Sequence, residues 1–438
     1  MIERILKGKN IRRACKQVMA NKGSAGVDGM SVKELSCFLK SNEKDLCGQV
    51  RSNRYFAQAI QGVEIPKENG KKRMLGIPTV VDRLLQQAVH QIIGPMFEVE
   101  FTEHSYGFRP DRNAHQAILQ AQKYIHEGRH YIVDIDLKSF FDEVDHAILL
   151  RLLFAKVRCP ATLRLIRQWL RAPIEINGKL IKRRKGVPQG SPLSPLLSNI
   201  MLHELDKELE RRGHRYVRYA DDFSIYTKSK KAARRVGNGI YLFLNKKMKL
   251  PINREKSGIR KPVQFKILGH EFVPTYKKGE VGKYQTVITE GKWKLLKAEL
   301  KQITRKTAPL SFDQRIAQLK RVHRGWINYF RMASMQSKLK ELDGWLRNRL
   351  RYCIWKDWKK PERRRKNLIR LGVPYGQAYA WSRTRMGGWA VAQSPILGTT
   401  ITMERLIKRG YESMFSYYEK VSPDLNEPLY ARPACTVV

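Results

Sequence analysis

Apolar and polar positions follow two different spacings along the chain. Up to about Pro274, short alternating or apolar runs such as Tyr131 to Asp136 and Tyr216 to Tyr226 lie between longer stretches of helical spacing. Alternation with a period of two predicts strands, and apolar residues three and four positions apart predict one-sided helices. The mixture predicts an α/β or α+β region.

Helical spacing alone continues from about Lys292. Three successive apolar series, which begin at Leu295, Ile316 and Leu339, each predict a helix with a single buried stripe. The run from Pro361 to Lys366 is predicted to be a loop. The sequence therefore predicts a mixed α and β part followed by a helical part.

Composition adds a strong positive charge to this picture. The chain has 438 residues, 42% of them hydrophobic, and its 85 Lys and Arg residues against 40 Asp and Glu residues give a net charge of +45. The hydrophobic share is enough for folded cores, so the charge does not indicate disorder. Such an excess argues against an ordinary metabolic enzyme and favours a nucleic-acid partner bound through its phosphates.

Basic residues also lie opposite the apolar stripes of the three predicted helices. Solvated helix faces usually mix charges of both signs, whereas acidic residues are few on these faces. We therefore predict that the faces follow a phosphate backbone. Among their basic residues are Arg321, Arg324, Arg347 and Arg351.

The spacing of the cysteines and the length of the apolar runs argue against disulfide-rich, zinc-binding, secreted and membrane-spanning proteins. The six cysteines include no CxxC pair, and no histidine cluster has zinc spacing, which argues against a disulfide framework and a zinc module. The first twenty residues have an amphipathic helical pattern rather than that of a signal peptide, and no apolar run reaches the roughly 18 residues that a membrane span requires. The sequence predicts a soluble protein of a reducing cytoplasm, without a membrane partner.

Two acidic runs carry the candidate chemistry. In the first, alternate strand positions are apolar, while Asp134 and Asp136 share the other parity and therefore one face. In the second, Tyr216 to Tyr226, two alternating arms flank Asp221 and Asp222, which predicts a hairpin with adjacent acids at its tip. Capping of a helix or a turn would also suit such acids. Their concentration at two strand ends of a cationic chain instead favours a polymerase palm, in which two Mg²⁺ ions support phosphoryl transfer.

A loop rich in proline and glycine lies between the two acidic runs. The segment Gly186 to Asn199 contains three prolines and two glycines, and it leads into helical spacing from Ile200. The prolines restrict the backbone, so we predict a fixed loop before a helix whose first amides would face a phosphate or a base.

Taken in order, these motifs resemble the reverse transcriptases encoded by bacterial group II introns, which are also called maturases. The resemblance covers nearly the whole chain, and its last two motifs are similar to the thumb of that family, the domain X region. In chain order the motifs are Asn21 to Gly29, Val63 to Lys67, Lys72 to Arg83, Ser105 to Pro110, the strand before Asp136, the loop with Gln189, the hairpin with Asp221 and Asp222, Phe265 to Gly269, Arg324 to Phe330 and Ile354 to Trp358.

The resemblance implies a right-hand polymerase of the α+β class, with fingers and palm that contain antiparallel sheet and with an α-helical thumb. Its parts would be an N-terminal extension and fingers at 1–78, a fingers and palm core at 79–285, the thumb at 286–372 and a basic DNA-binding segment at 373–438. Relatives with an endonuclease carry a zinc-associated C-terminal module. No such motif precedes Val438, so the chain is similar to the endonuclease-lacking class.

The resemblance also implies roles for single residues. Asp136, Asp221 and Asp222 match the catalytic, metal-binding triad, which would hold two Mg²⁺ ions that Mn²⁺ is able to replace. At the incoming nucleotide it implies Lys67 and Arg73 on the triphosphate and Gln189 at the nascent base pair. Phe140, or else its neighbour Phe141, would be the aromatic gate against a 2′-hydroxyl. The residues implied to contact template or RNA are Asn21, Lys22, Gly23, Arg83, Arg109, Arg321, Arg324, Arg347 and Arg351.

The implied function is RNA-directed DNA synthesis, coupled to splicing of the parent intron RNA and to its retrohoming. Partners would be the intron RNA, an RNA template with a DNA primer, target DNA and deoxynucleoside triphosphates, in the bacterial cytoplasm and at the nucleoid. Three alternatives share part of the pattern: a retron or diversity-generating reverse transcriptase, a splicing-only RNA chaperone, and a group II-like enzyme that its host recruited for DNA repair or defence. The intact acids argue against the chaperone, whereas the sequence does not separate the recruited enzyme from a true maturase.

Overall fold

The chain divides into two compact units, and each has a hydrophobic core of its own. The structure is a computed structural model that describes residues 1–66, 70, 72–275 and 282–422. Unit 1 is Met1–Phe265 and unit 2 is Lys266–Val438. The division comes before the predicted boundary at 285, because the strands from Lys266 onward pair with one another within unit 2.

Several helices of unit 1 begin at residues whose side chains cap the first turn. Thr79 accepts from the backbone N–H of Asp82, and Asn113 forms a reciprocal capping box with Gln116. The helices are α1 (Ile2–Ile5), α2 (Gly8–Ala20), α3 (Leu35–Arg51), α4 (Val80–Glu98), α5 (Ala114–His126), α6 (Phe140–Glu143), α7 (His146–Val157), α8 (Pro160–Arg171), α9 (Ser194–Arg211) and α10 (Lys230–Phe243).

The strands of unit 1 form two sheets. The hairpin sheet has the order β2-β1-β4-β5, and the central sheet has the order β6-β7-β3-β8. Neighbours are antiparallel except that β1 and β4 run in parallel. The strands are β1 (Ile60–Pro66), β2 (Lys72–Ile77), β3 (Tyr131–Ile135), β4 (Ile174–Ile176), β5 (Lys179–Ile181), β6 (Arg215–Tyr219), β7 (Asp222–Thr227) and β8 (Gly258–Arg260).

One face of the central sheet belongs to the core of unit 1. Val133 and Ile135 of β3 and Phe223 and Ile225 of β7 are in the same buried cluster as the apolar residues of α4, α9 and α10. The predicted parity of the first acidic run is therefore correct, because its apolar positions face this core. Asp134 and Ser224, which pair across the two strands, lie on the other face.

Unit 2 combines a small antiparallel sheet with helices. The predicted α+β class, with antiparallel strands and a helical C-terminal region, is confirmed. The elements are β9 (Lys266–Ile267), β10 (His270–Pro274), β11 (Tyr284–Ile288), α11 (Glu290–Ile303), α12 (Phe312–Phe330), α13 (Gln336–Asp357), α14 (Pro361–Arg370), α15 (Tyr375–Ser382), α16 (Gly388–Gln393), α17 (Pro395–Gly398), α18 (Met403–Lys408) and α19 (Met414–Val421).

Helix α14 corrects one prediction. The run from Pro361 to Lys366, predicted to be a loop, forms most of this helix. Proline suits the first turn of a helix because its missing N–H would have no partner there, and Glu362 places a negative charge at the positive helix end. The helix is anchored by Leu368, which is fully buried.

The described part of the predicted segment 373–438 shares the core of the helices before it. Ala378, Val391 and Leu406 belong to the same buried cluster as the apolar residues of α11, α12 and α13. Within the described residues, none of the helices is both long and apolar enough to cross a bilayer.

A buried carboxylate attaches the segment 411–415 to α13. Asp343 is 3% exposed and accepts hydrogen bonds from the hydroxyls of Tyr411 and Ser413 and from the backbone N–H groups of Met414 and Phe415. A buried carboxylate is stable only when its lone pairs are satisfied, and these four donors satisfy them. The start of α19 is thereby fixed on α13.

A second carboxylate joins the segment before α19 to α12. Arg324 donates two hydrogen bonds to Glu412, at 2.7 and 2.6 Å, and His323 Nε2 donates a third at 3.0 Å. The pKa of Glu412 is lowered to about 2, mainly by the hydrogen bonds from Arg324. The Glu412 side chain is 18% exposed, so water screens this pair only in part.

We predict that Glu412→Gln lowers the free energy of unfolding of unit 2 by about 1–3 kcal/mol at neutral pH, since charge-assisted hydrogen bonds are lost. A depressed folded pKa stabilises the fold above the unfolded value of about 4.5, and that stabilisation disappears as the pH falls towards about 2. The difference between the two proteins should therefore shrink over this range. Tryptophan fluorescence during denaturant unfolding measures it, because every tryptophan except Trp169 lies in unit 2.

The matched control is Glu419→Gln, which removes an exposed carboxylate on α19. It should leave the unfolding curve within experimental error at every pH. A Glu412→Gln protein with wild-type stability at neutral pH, or a difference that persists unchanged at pH 2, would contradict the predicted role of Glu412.

Candidate active site

The two acidic runs meet at one end of the central sheet. In the antiparallel register of β3 and β7, Ile135 pairs with Phe223 and Asp134 pairs with Ser224. Continued by one residue, this register brings Asp136 opposite Asp222, on the face of the sheet that carries Asp134. Two acidic segments far apart in the sequence are therefore neighbours in the fold.

The predicted hairpin with acids at its tip is present. Strands β6 and β7 pair down to Tyr219 and Asp222, which leaves Ala220 and Asp221 as the turn. Ala220 has a φ of +57°, a left-handed conformation that is uncommon for a residue with a side chain. The turn places Asp221 and Asp222 side by side at the sheet edge.

Burial and neighbouring carboxylates raise the pKa values of the two aspartates in the hairpin. Desolvation and then the charges of Asp221, Asp136 and Asp134 raise the pKa of Asp222 to about 6. Desolvation also raises the pKa of Asp221, while the charge of Arg73 opposes the rise. Asp222 itself remains exposed, so an ion from solvent can reach it. Repelling carboxylates that solvent can reach form a site that favours a cation.

Two cations of the chain already lie near this edge. Arg260 donates to Asp134 at 2.8 Å, so Asp134 has a partner within the protein. Lys256 lies 3.7 Å from Asp136, and its side chain is 63% exposed. An exposed lysine at that distance is a weak partner, which leaves Asp136 able to bind another cation.

The donor set fits a hard divalent cation. Carboxylate oxygens are the ligands that Mg²⁺ and Mn²⁺ prefer, and Asp136, Asp221 and Asp222 supply them at one edge of the central sheet. Among the described residues, no three His, Cys, Asp or Glu side chains are already gathered in metal-binding geometry. The raised pKa values of Asp221 and Asp222 show that ionised carboxylates are unfavourable at this edge, and a bound cation would lower both values.

The predicted nucleotide residues Arg73 and Gln189 lie together. Arg73 on β2 donates to the side-chain oxygen of Gln189, and the backbone carbonyl of Gln189 accepts from Gly76 N–H at 2.7 Å. A Cβ on Gly190 would lie 2.6 Å from the carbonyl oxygen of Gly76, so only glycine permits this approach. The predicted loop before α9 is thus fixed against the hairpin sheet. Lys67 lies outside the described residues.

Phe140 and Phe141 begin α6, directly after the strand that leads to Asp136. Phe140 is 2% exposed and Phe141 is 8% exposed, with ring centroids 5.4 Å apart. A gate must present surface to a nucleotide sugar. Both rings are buried, and Phe141 is the less deeply buried of the two, so the choice between them stays a prediction.

The N-terminal loop around Asn21, Lys22 and Gly23 packs on the start of α4. Arg83 donates to the backbone carbonyl of Ser24, and a Cβ on Gly23 would lie 2.4 Å from the Arg83 guanidinium. Asn21 and Lys22 are exposed, whereas Arg83 is 8% exposed. The loop can meet a template, and Arg83 supports the loop from beneath.

The other predicted RNA contacts differ in their accessibility. Arg109 donates to Glu98 and to the carbonyl of Ser105, and its side chain is 5% exposed. In unit 2, Arg351 donates to the backbone carbonyls of Ile401 and Gly398. Burial and internal partners thus disfavour RNA contacts at Arg83, Arg109 and Arg351. Of the remaining three, Arg324 is bound to Glu412, Arg347 is half-buried, and Arg321 is exposed.

Sequence reasoning missed the residues beneath the acidic hairpin. Arg218 on β6 is fully buried and makes a bidentate ion pair with Asp206 of α9. The alternating pattern of β6 predicted the strand, but it carried no sign that a charged residue within it is buried. Such a pairing depends on a partner in another element, which the spacing of residues does not reveal.

Comparison with known proteins yields two family matches. Residues 65–272 match the family described as reverse transcriptase (RNA-dependent DNA polymerase). Residues 293–372 match the maturase-specific domain of group II introns. The first match covers the end of β1, the other three strands of the hairpin sheet, the acidic edge of the central sheet and the loop before α9. The second covers α12, α13 and α14 and most of α11.

Individual relatives agree with these matches. The group II intron-encoded protein LtrA of Lactococcus lactis subsp. cremoris is 31% identical over 309 residues, which are 56% of this chain and 51% of that protein. The chain thus spans about half the length of this relative. Protein YkfC of Escherichia coli strain K12 is 30% identical over 324 residues, 64% of this chain and 84% of that protein.

Among solved structures, a partial Cas6-RT-Cas1–Cas2 complex matches 56% of this chain and 42% of its own, at 28% identity and a TM-score of 0.37. A TM-score of that size supports no inference about architecture.

We predict that Gly26→Ala detaches the N-terminal loop from α4. A Cβ at this position would lie 2.8 Å from Thr79 Cα and 2.9 Å from Thr79 N, and backbone atoms cannot move aside as a flexible side chain can. Overpacking of this kind costs about 1–3 kcal/mol. Trypsin should cleave faster after the exposed Lys22, as followed by mass spectrometry.

The control is Gly48→Ala in the interior of α3, where an added Cβ meets no atom within 4 Å. It should be neutral or stabilise the helix by about 0.5–1 kcal/mol. Equal cleavage rates after Lys22 in the wild type and in Gly26→Ala would mean that the loop does not depend on this close packing.

Proposed function

This chain belongs to the family of group II intron-encoded reverse transcriptases and maturases, and we propose that it is an RNA-directed DNA polymerase that binds its parent intron RNA, assists the splicing of that RNA and copies it during retrohoming. The observation that carries the proposal is the meeting of Asp136 with the turn of Asp221 and Asp222 at one edge of the central sheet. An RNA-binding protein without catalysis has no need of mutually repelling carboxylates beside a polyanion.

Asp136, Asp221 and Asp222 would hold the divalent ions. Reverse transcriptases as a family use such ions, and we infer two Mg²⁺ ions here, with Mn²⁺ able to replace them. Bound there, they would activate the 3′-hydroxyl of a primer and offset charge on the leaving pyrophosphate. The chain itself contributes a fixed face of carboxylates, held by a strand pairing and a two-residue turn.

The hairpin sheet and the loop before α9 would receive the incoming deoxynucleoside triphosphate. Arg73 is exposed, and its guanidinium can form paired hydrogen bonds with phosphate oxygens. Gln189 lies at the same place, with its backbone fixed by Gly76, so its side chain can be positioned at a base pair. Lys67, which lies outside the described residues, remains a proposed partner of the triphosphate.

Intron RNA is the proposed partner of unit 2. Exposed or half-buried cations such as Arg321 and Arg347 would contact phosphates, and the net charge of +45 supplies a long-range attraction. The match of 293–372 to the maturase-specific domain favours the intron partner over a polymerase that its host recruited for other work. An RNA template, a DNA primer and target DNA complete the proposed set of partners.

The first test is primer extension on an RNA template by Asp221→Ala. The reaction should require Mg²⁺, and the variant should lose several orders of magnitude in rate because a metal ligand is gone. A matched control is Glu127→Gln, which removes a surface carboxylate that pairs with the neighbouring Arg129. A folded Asp221→Ala protein that extends the primer at the wild-type rate would refute the polymerase assignment.

The same variant separates splicing from polymerisation. Group II splicing is catalysed by RNA, so the protein need only bind the folded intron in preference to misfolded forms. Asp221→Ala should therefore still accelerate splicing of the precursor RNA near physiological Mg²⁺, measured as lariat and ligated exons. Absence of acceleration by the wild-type protein would refute the maturase part of the proposal.

A further prediction concerns the sugar gate, which we assign to Phe141 because Phe140 is the more deeply buried of the two. Phe141→Val should make room for a 2′-hydroxyl and raise ribonucleotide incorporation relative to deoxyribonucleotide incorporation, measured as a ratio of kcat/KM values. Phe140→Val should lower thermal stability and leave the ratio unchanged, since its ring packs within the core. A changed ratio in Phe140→Val alone would return the gate to Phe140.

A further inference from the structure

Arg218 lies directly beneath the turn that carries the catalytic acids. It is fully buried, and its guanidinium donates to both carboxylate oxygens of Asp206, at 2.8 and 2.5 Å. The remaining terminal nitrogen donates to Asn199 Oδ1 and to the backbone carbonyl of Ala220, both at 2.9 Å. One side chain therefore joins α9 to the first residue of the turn.

The network continues into the loop on the other side of the turn. Asn199 Nδ2 donates to the carbonyl of Gly107 at 2.9 Å, and a Cβ on Gly107 would lie 2.3 Å from Ala220 N. The backbone of Arg218 bonds this loop as well, because its N–H donates to His104 and its carbonyl accepts from Tyr106. The turn is enclosed by α9, by β6 and by a loop that only glycine allows to come so close.

Stability alone does not account for this arrangement. Both charged groups of a buried ion pair lose their hydration. A protein with well-packed apolar residues of similar volume in their place is often as stable or more stable. The guanidinium supplies a set of directed hydrogen bonds with fixed geometry, which an apolar side chain cannot form. One of these bonds holds the carbonyl of Ala220, whose φ of +57° is otherwise unfavourable for alanine.

We infer that Arg218, oriented by Asp206 and Asn199, is a positioning residue that fixes the Ala220–Asp221 turn, so that Asp221 and Asp222 keep one geometry for divalent ions and nucleotide. The inference rests on the proposed polymerase function for its kinetic consequences. Arg218 touches no substrate and acts only through the turn. Its loss should therefore lower kcat, because misplacement of catalytic groups by about 1 Å can cost on the order of 100-fold in rate.

The test is Arg218→Lys in the full chain, which keeps a positive charge beside Asp206 but cannot bond Asp206, Asn199 and Ala220 at once. We expect kcat for primer extension to fall by about 10- to 100-fold, with the KM for deoxynucleotide changed by less than about twofold. The Mg²⁺ concentration for half-maximal rate should rise. Hydrogen exchange of the peptide that contains residues 219–223, measured by mass spectrometry without substrate, should become faster.

The control is Tyr55→Phe, which removes a buried hydrogen bond of 2.8 Å to Asp82 in the same unit without touching the turn. It should lower the Tm while leaving kcat and the exchange of residues 219–223 unchanged. Asn199→Ala is the second variant, because it removes two bonds of the network without leaving an unpaired charge. It should show the same pattern as Arg218→Lys at a smaller size, about threefold to tenfold in kcat.

The outcomes separate three cases. The inference is overturned if folded Arg218→Lys has the kcat and the hydrogen exchange of the wild type. It is also overturned if Tyr55→Phe, at the same Tm as Arg218→Lys, loses as much kcat. If Arg218→Lys does not fold, Asn199→Ala decides by the same criteria. If the wild type itself extends no primer, the proposed function fails, whereas the exchange of residues 219–223 still supports or overturns the role of Arg218.

Discussion

The register between β3 and β7 is the constraint on which the rest of the site depends. It pairs Ile135 with Phe223, and a slip by one residue would turn the acids towards the core of unit 1 and the side chains of Ile135 and Phe223 away from it. Each large apolar side chain buried here contributes about 1.5–3 kcal/mol, whereas two carboxylates as near as about 4 Å at a protein surface repel each other by about 4 kcal/mol. The buried face of the two strands outweighs that repulsion. Burial of the apolar face therefore holds the acids close together in spite of their mutual repulsion.

Regular alternation explains how much of this could be predicted from the sequence. A period of two assigns Asp134 and Asp136 to one face whatever the rest of the fold does, and adjacent acids between two alternating arms predict a hairpin tip. The same rule fails where the backbone leaves the strand. Ser139 has a left-handed φ of +47°, and α6 begins after it, so parity gave no means of choosing between Phe140 and Phe141. Helix α14 was not predicted, because a run of charged residues has no apolar stripe. Its first-turn proline and the buried Leu368 nevertheless suffice to begin the helix and to anchor it.

The net positive charge shows a second limit of prediction from the sequence. Composition predicted a nucleic-acid partner, but it could not tell which arginines face that partner. Arg218 and Arg109 are buried against carboxylates, and Arg351 is bonded to backbone carbonyls from α17 and the segment after it. The pairings join residues outside the same helix or strand, and the pair of Arg324 and Glu412 spans 88 residues, so the spacing of residues does not predict them. Arginine serves here as an internal cross-link as well as a surface charge, because its planar donors can satisfy several acceptors at once.

The two parts of the site also differ in how firmly they are held. The acids lie at the end of a sheet whose other face is core, and Arg218 fixes their turn from beneath. In β1, by contrast, Ile60 is the only buried residue, and the base of the strand is joined to the rest of unit 1 through pairing with β4. Segments with few buried apolar contacts open and shift at lower cost than core strands. Arg73 lies on β2, where it pairs with the exposed Ile65 of β1, so it belongs to a hairpin end able to adjust to a nucleotide. The carboxylates belong to an element that keeps its shape. Catalysis that depends on preorganised charge requires that division, because the metal-binding groups must be in place before the substrate is held against them.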